Sequence, residues 1–170
     1  LVNSGSEANE LAVRLARSYT GNHDMAVIEG AYHGHTGMLI DLSPYKFRGP
    51  GGRGSPESWV HVLPIPDTYR RPTIDYSAEA REGMEQAGPL AGLLIESMLS
   101  CAGQVPLPPS YFPEVASAVR NQGGILIADE VQVGFGRVGT HMWAFQESGV
   151  TPDIVVMGKP IGNGHPMAAV

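Results

Sequence analysis

Apolar positions along the chain switch repeatedly between a helical spacing and short unbroken runs, and that switching predicts alternating helices and strands. Leu11, Ala12, Leu15, Ala16 and Tyr19 recur at helical intervals, so a helix is expected over residues 7–19. A strand follows at 25–28, then a short helix after His35 and before Ser43-Pro44, and a strand at 60–63. Beyond them the pattern gives a helix near 78–86, a strand at 93–96, a helix at 113–121 and strands at 125–129 and 154–157. The alternation favours an α/β layer architecture. Residues apolar at consecutive positions, as in Ile125-Leu-Ile-Ala128, suit strands covered on both faces of a parallel sheet. Residues 49–72 are rich in glycine and proline and read as a long loop: a border of the substrate entrance, a subunit contact or a plain surface excursion.

Two of the expected strands end in charge. The run 124–128 delivers Asp129 and Glu130, and the run 153–158 delivers Lys159, one of only two lysines. Ligands of open parallel sheets bind outside the carboxyl ends of the strands, so Asp129 and Lys159 can face one crevice. A lysine at the end of a buried strand, among Gly158, Gly162 and Gly164, suggests an amine that forms an imine with an aldehyde, although most lysines are solvated surface charges. The run 125–130 also fits the acidic strand that holds magnesium in nucleotide-hydrolysing proteins. Those proteins need a Gly-x-x-x-x-Gly-Lys-Ser/Thr loop, whereas here Pro160 follows Gly158-Lys159 and Asp153 stands five residues before Gly158.

A third signal opens the chain. Ser4 and Glu7 stand at capping-box spacing before the first helix, and the free N–H groups beside Gly5 and Ser6 make either a plain helix start or a phosphate cradle reinforced by the helix dipole. A phosphate cradle, a strand-end aspartate and a strand-end lysine are together what pyridoxal 5′-phosphate requires. The lysine takes the aldehyde, the cradle fixes the phosphate, and the aspartate keeps the ring nitrogen protonated.

In order along the chain stand Asn3-Ser-Gly-Ser-Glu-Ala-Asn9, Ala31-Tyr-His-Gly34, Glu96-Ser97, Asp129-Glu-Val-Gln-Val-Gly-Phe-Gly-Arg137 and Gly158-Lys159 with Gly162-Asn-Gly-His-Pro166. This succession resembles the class III aminotransferases of fold type I. The resemblance implies a three-layer α/β large domain with a mostly parallel sheet. Residues 1–170 would be an incomplete part of that pyridoxal-phosphate-binding domain, without the N-terminal segment and the small C-terminal domain. It implies a transaminase acting on a primary amine through a lysine imine and a quinonoid intermediate. Lys159 and Asp129 would be catalytic; Ser4, Gly5 and Ser6 would hold the phosphate; Tyr32 would stack on one ring face and Val131 on the other. His33 would orient Asp129, Gln132 would reach the phenolic oxygen, and Glu96 would lie on the substrate side. Plainer parts also suit some of these residues: Tyr32 as a core aromatic, His33 and His35 as turn histidines, Glu96 as a solvated strand end. The family forms homodimers in which a threonine of the neighbouring chain completes the phosphate cradle, so the isolated chain is expected to be weakly active or inactive.

Local phrasing is similar to the phospholyase branch of that family, which eliminates phosphate from compounds such as ethanolamine phosphate. The stretches are 42–47, 66–69, 96–104, 141–145 and 157–166, and Glu96-Ser97 departs from the Glu-Pro common in ordinary members. Two other readings are a non-catalytic relative, which would be expected to lose Lys159 or Asp129, and a nucleotide-binding protein.

Composition narrows the partners. A length of 170 residues with 42% hydrophobic content suffices for one large core, and a net charge of −6 argues against nucleic acid. Arg70-Arg71 reads as a solvated turn. His33-Gly34-His35 raises a metal site, but nothing fixes a third ligand and the lone Cys101 excludes a cysteine zinc cluster, so no metal is expected. A single cysteine implies no internal disulfide and suits a reducing cytoplasm, and no run approaches a membrane helix. A small-molecule amine is the expected partner.

Overall fold

The unbroken apolar runs form one parallel sheet in the computed structural model, which describes residues 1–170. In chain order the strands are β1 (Asp24–Ile28), β2 (Val60–Leu63), β3 (Leu90–Glu96), β4 (Ile125–Asp129) and β5 (Ile154–Val156). They lie side by side as β2-β1-β3-β4-β5, every pairing parallel. Alternate side chains feed two cores. Ile28, Leu93, Ile95 and Leu126 pack with α3 (Tyr76–Ala87) and α4 (Tyr111–Asn121), while Met25, Val27, Leu94 and Ile127 pack with α1 (Gly5–Thr20) and α2 (Gly37–Asp41). Two helical layers therefore cover the sheet, which is why its strands read as continuous apolar runs. No helix is long and apolar enough to cross a membrane.

The buried face of α1 keeps Ala12 and Ala16 of the expected set but is rotated away from its larger residues. Leu15 and Tyr19 are 46% and 82% exposed, and the buried stripe is Ala8, Asn9, Ala12, Val13 and Ala16. Small side chains let the helix axis approach the sheet closely, so the packing selects alanine over the larger apolar residues. Strand β3 starts three residues earlier than expected, at Leu90, because Leu90 and Gly92 already pair with Asp24 and Met25 of β1; a Cβ on Gly92 would come 2.5 Å from the Ile125 carbonyl oxygen of β4. Met157 leaves the ladder and forms an antiparallel bridge with Ala169 instead. The 3₁₀ turns Pro44–Lys46, Ala144–Ser148 and Lys159–Gly162 are too short for periodicity to reveal. Within the glycine- and proline-rich loop, Arg70 pairs with Asp67 and Arg71 with Glu79. The hydrogen-bonded Arg70 guanidinium holds the Asp67 carboxyl below its ordinary range.

Glu130 shows what its motif position does structurally. It is fully buried, and its two carboxylate oxygens accept from the N–H groups of Ala144 and Phe145 at 2.9 Å each, tying the Ala144–Ser148 turn to the end of β4. Glu130→Ala strands both donors, so chemical denaturation is expected to show a loss of about 2–5 kcal/mol. A loss below about 1 kcal/mol would contradict that account.

The strand order places a topological switch between β1 and β3: the chain leaves β1 for β2 on one side and returns to β3 on the other. The connections after β1 and β3 diverge there, which opens a crevice at the strands' carboxyl ends.

Candidate active site

The crevice is a cleft of about 190 Å³. Gly5 and Ser6 from α1, Tyr32 and His33 after β1, Glu96 at the end of β3, Asp129, Val131 and Gln132 at the end of β4, and Lys159 beyond β5 all line it. Ser4 is the one expected site residue that does not. Its hydroxyl accepts from the Glu7 N–H at 3.1 Å, and its carbonyl accepts from Ala8. The capping box is also shifted, because the Glu7 carboxylate accepts from the N–H of Asn3 rather than from that of Ser4. With Glu7 and Ala8 satisfied, the helix start leaves the N–H groups of Gly5 and Ser6 as its free donors at the cleft.

Close packing sets the floor of this cradle. A Cβ on Gly5 would come 2.8 Å from Val131 Cγ1, and one on Gly158 would come 3.1 Å from the same atom. Val131 thus sits between α1 and the segment that carries Lys159. Gly34, at φ 143°, is crowded in the same way by Ser6 and Leu39. His35 lines the cleft beside it, with Nδ1 3.0 Å from the Ser6 hydroxyl oxygen, which also accepts from the His35 N–H at 3.3 Å.

Asp129 is held by three donors. Its Oδ2 accepts from Asn9 Nδ2 and from His33 Nδ1, each at 2.8 Å, and its Oδ1 accepts from the Val131 N–H at 3.1 Å. A carboxylate oxygen only accepts, so His33 carries its proton on Nδ1, and its buried Nε2 has no protein partner. His33 thus touches Asp129 directly.

Glu96 stands opposite Asp129 in the β3–β4 register and is buried. Its Oε1 accepts from the Tyr32 N–H at 3.1 Å; its Oε2 accepts from the Ser100 N–H at 2.9 Å and from the Ser100 hydroxyl. It is thus an internal brace joining two walls of the cleft, and the reading of it as a solvated strand end is excluded. Tyr32 is half-exposed at the mouth, edge-on to Tyr45 with ring centroids 6.4 Å apart, so it is not a core aromatic. Cys101 also lines the cleft; desolvation, then the Glu96 charge, pushes its thiol above the ordinary range and keeps it a weak nucleophile.

Lys159 is exposed to the cleft and adopts φ 41°, the left-handed region that side chains rarely occupy. Sequence reasoning missed Asn9, Gly34, His35, Ser100 and Cys101 as cleft residues. Asn9 alone carried a usable signal, a polar residue between alanines in a helix stripe, which is unfavourable to bury without a partner.

A family model described as aminotransferase class-III matches residues 1–170. The chain is 48% identical to the alanine–glyoxylate aminotransferase 2-like protein of Drosophila melanogaster, with 99% of this chain and 37% of that protein covered. It is 46% identical to ethanolamine-phosphate phospho-lyase homolog 1 of Caenorhabditis elegans, covering 99% of this chain and 41% of that one. Among solved structures it superposes on a phospholyase from Arthrobacter in complex with phosphoethanolamine with a TM-score of 0.86 and 37% identity, over 98% of this chain and 41% of that one. The chain thus spans about two fifths of the length of these proteins.

Proposed function

Because this chain belongs to the class III aminotransferase family, we propose that the whole protein is a pyridoxal-phosphate-dependent transaminase acting on a primary amine. The observation that carries this reading is the convergence of the free N–H groups of Gly5 and Ser6, the Asp129 carboxylate and the Lys159 amine in one cleft.

The residues present fit that cofactor. Gly5 leaves no room for a Cβ against Val131 and Gly158 little, so this wall of the cleft offers a ring backbone and one isopropyl group to rest on. Asp129 Oδ1 has a single donor and so retains capacity for another N–H. Gly5 and Ser6 would hold the phosphate, Tyr32 and Val131 would bracket the ring, Gln132 would face its phenolic oxygen, and Lys159 would hold its aldehyde carbon. When bound, pyridoxal phosphate supplies an electron-accepting ring that stabilises negative charge on the carbon bearing the amine. With a substrate amine in place, Lys159 Nζ would take the proton from that carbon and deliver it to the cofactor's former aldehyde carbon, the shift that amino-group transfer requires. Asp129 would keep a proton on the ring nitrogen, and the brace from Glu96 to Tyr32 and Ser100 holds that wall of the cleft in place. A cleft of about 190 Å³ is smaller than the roughly 300–1,000 Å³ of a complete small-molecule pocket, and in this reading further walls would come from elsewhere in the whole protein or from a second subunit of a homodimer.

A second reading, elimination of phosphate from a phosphorylated amino compound, is favoured by the likeness to the Arthrobacter and Caenorhabditis elegans proteins. Both reactions use the same proton removal by Lys159 and part afterwards, according to which substrate bond is aligned for cleavage. Assaying the full-length protein on phosphoethanolamine separates them. Phosphate release without a keto acid selects elimination, whereas amine consumption only with a keto acid selects transamination.

A further inference from the structure

Asn9 is a cleft residue that the proton-transfer scheme leaves without a task. It lies four residues after Gly5, on the same face of α1, and is 1% exposed. Its Nδ2 donates both to Asp129 Oδ2 at 2.8 Å and to the His33 carbonyl at 2.9 Å, while its Oδ1 is buried without a partner. Turning the amide over would set Oδ1 against two acceptors, so the orientation is fixed. A buried acceptor with no donor is unfavourable, and a position serving only to pack α1 would suit alanine, as at Ala8 and Ala12.

We infer that Asn9 is a positioning residue that acts through Asp129. Together with His33 it fills Oδ2, which leaves Oδ1 as the oxygen with capacity for the cofactor's ring N–H. It also sets the rotation of α1. Gly5 touches Val131, and Asn9, one helical turn further on, is bonded to Asp129 two residues before Val131. These two contacts add to the packing of Ala8, Ala12, Val13 and Ala16 against the sheet and set the position of the helix's first turn. The donors that hold the phosphate and the carboxylate that holds the ring are thereby kept at one separation by a single side chain.

This inference rests on the pyridoxal-phosphate reading, and a double-mutant cycle on the full-length protein tests the two separately. The variants are Asn9→Leu, Asp129→Ala and their combination, since alanine at 129 removes the acceptor that Asn9 bonds; the readouts are the rate of pyridoxal phosphate release into cofactor-free buffer, kcat and KM. In the wild-type background Asn9→Leu is expected to speed release and lower kcat by roughly ten- to a hundredfold, with KM within about twofold. In the Asp129→Ala background, which has no acceptor for Asn9 to hold, the same change is expected to alter both rates by less than about threefold. Equal effects in the two backgrounds overturn the inference and leave the functional reading intact. Wild-type protein that takes up no pyridoxal phosphate overturns both. Asn9→Asp, the same size but an acceptor facing acceptors, provides the second variant should the leucine form not fold, with the same background dependence expected.

Discussion

Lys159→Ala is expected to lower turnover by roughly 10³- to 10⁴-fold or more, because it removes both the covalent attachment point and the proton carrier. Borohydride reduction of the cofactor-loaded wild-type protein, followed by digestion, is expected to leave the label on the peptide containing residue 159, and the variant is expected to yield no labelled peptide. Stability moves differently from activity at this position. With φ at 41°, Lys159 carries a left-handed conformation that costs an ordinary residue about 1–2 kcal/mol. Lys159→Gly relieves that strain against an entropic cost of about 0.5–1 kcal/mol, so the inactive glycine apoprotein is expected to melt no lower than the wild type. Retained turnover in Lys159→Ala, or a label at another residue, would remove the basis of the proposed chemistry.

Asp129→Asn is expected to reduce turnover on the order of 10²- to 10³-fold, the scale of removing one preorganised charge partner from a developing charge. The substitution is nearly isosteric, but its surroundings are not neutral towards it. Asn9 Nδ2, His33 Nδ1 and the Val131 N–H all point at the carboxylate as donors. With the asparagine oxygen placed at the doubly bonded Oδ2 site, its NH₂ group faces the Val131 N–H. That donor–donor opposition is expected to lower stability by about 1–3 kcal/mol and to loosen the cofactor as well. Spectrophotometric titration with pyridoxal 5′-phosphate measures the second effect, and turnover within tenfold of the wild type would show that Asp129 does not hold the ring nitrogen.

Much of this arrangement was legible along the chain. The runs 125–129 and 60–63 became strands with those bounds, because an apolar run covered on both faces is a local pattern. The Ser4 cap and the free donors beside it follow from hydrogen bonding within one helical turn. Other parts were legible only as residue types. Glu96 announced itself as a strand-end acid but not as a brace, because its partners Tyr32 and Ser100 lie 64 residues before it and 4 after it. Of the apolar set expected on α1, Ala12 and Ala16 are buried but Leu15 and Tyr19 are not, since helical spacing shows that a stripe exists and leaves its exact orientation to the surface it meets.

By itself the sequence determined the alternating elements, the helix cap, and the placement of an aspartate at the end of one apolar strand and a lysine beyond another. Near neighbours decide those features, through periodicity and local hydrogen bonds. The tertiary structure alone decided that β3 pairs beyond β1 while β2 turns away, and that crossover opened the cleft. It also brought Asn9 and His33 across 120 and 96 residues onto one oxygen of Asp129. Such encounters depend on strand order and register, which long-range packing selects and no short stretch of chain encodes.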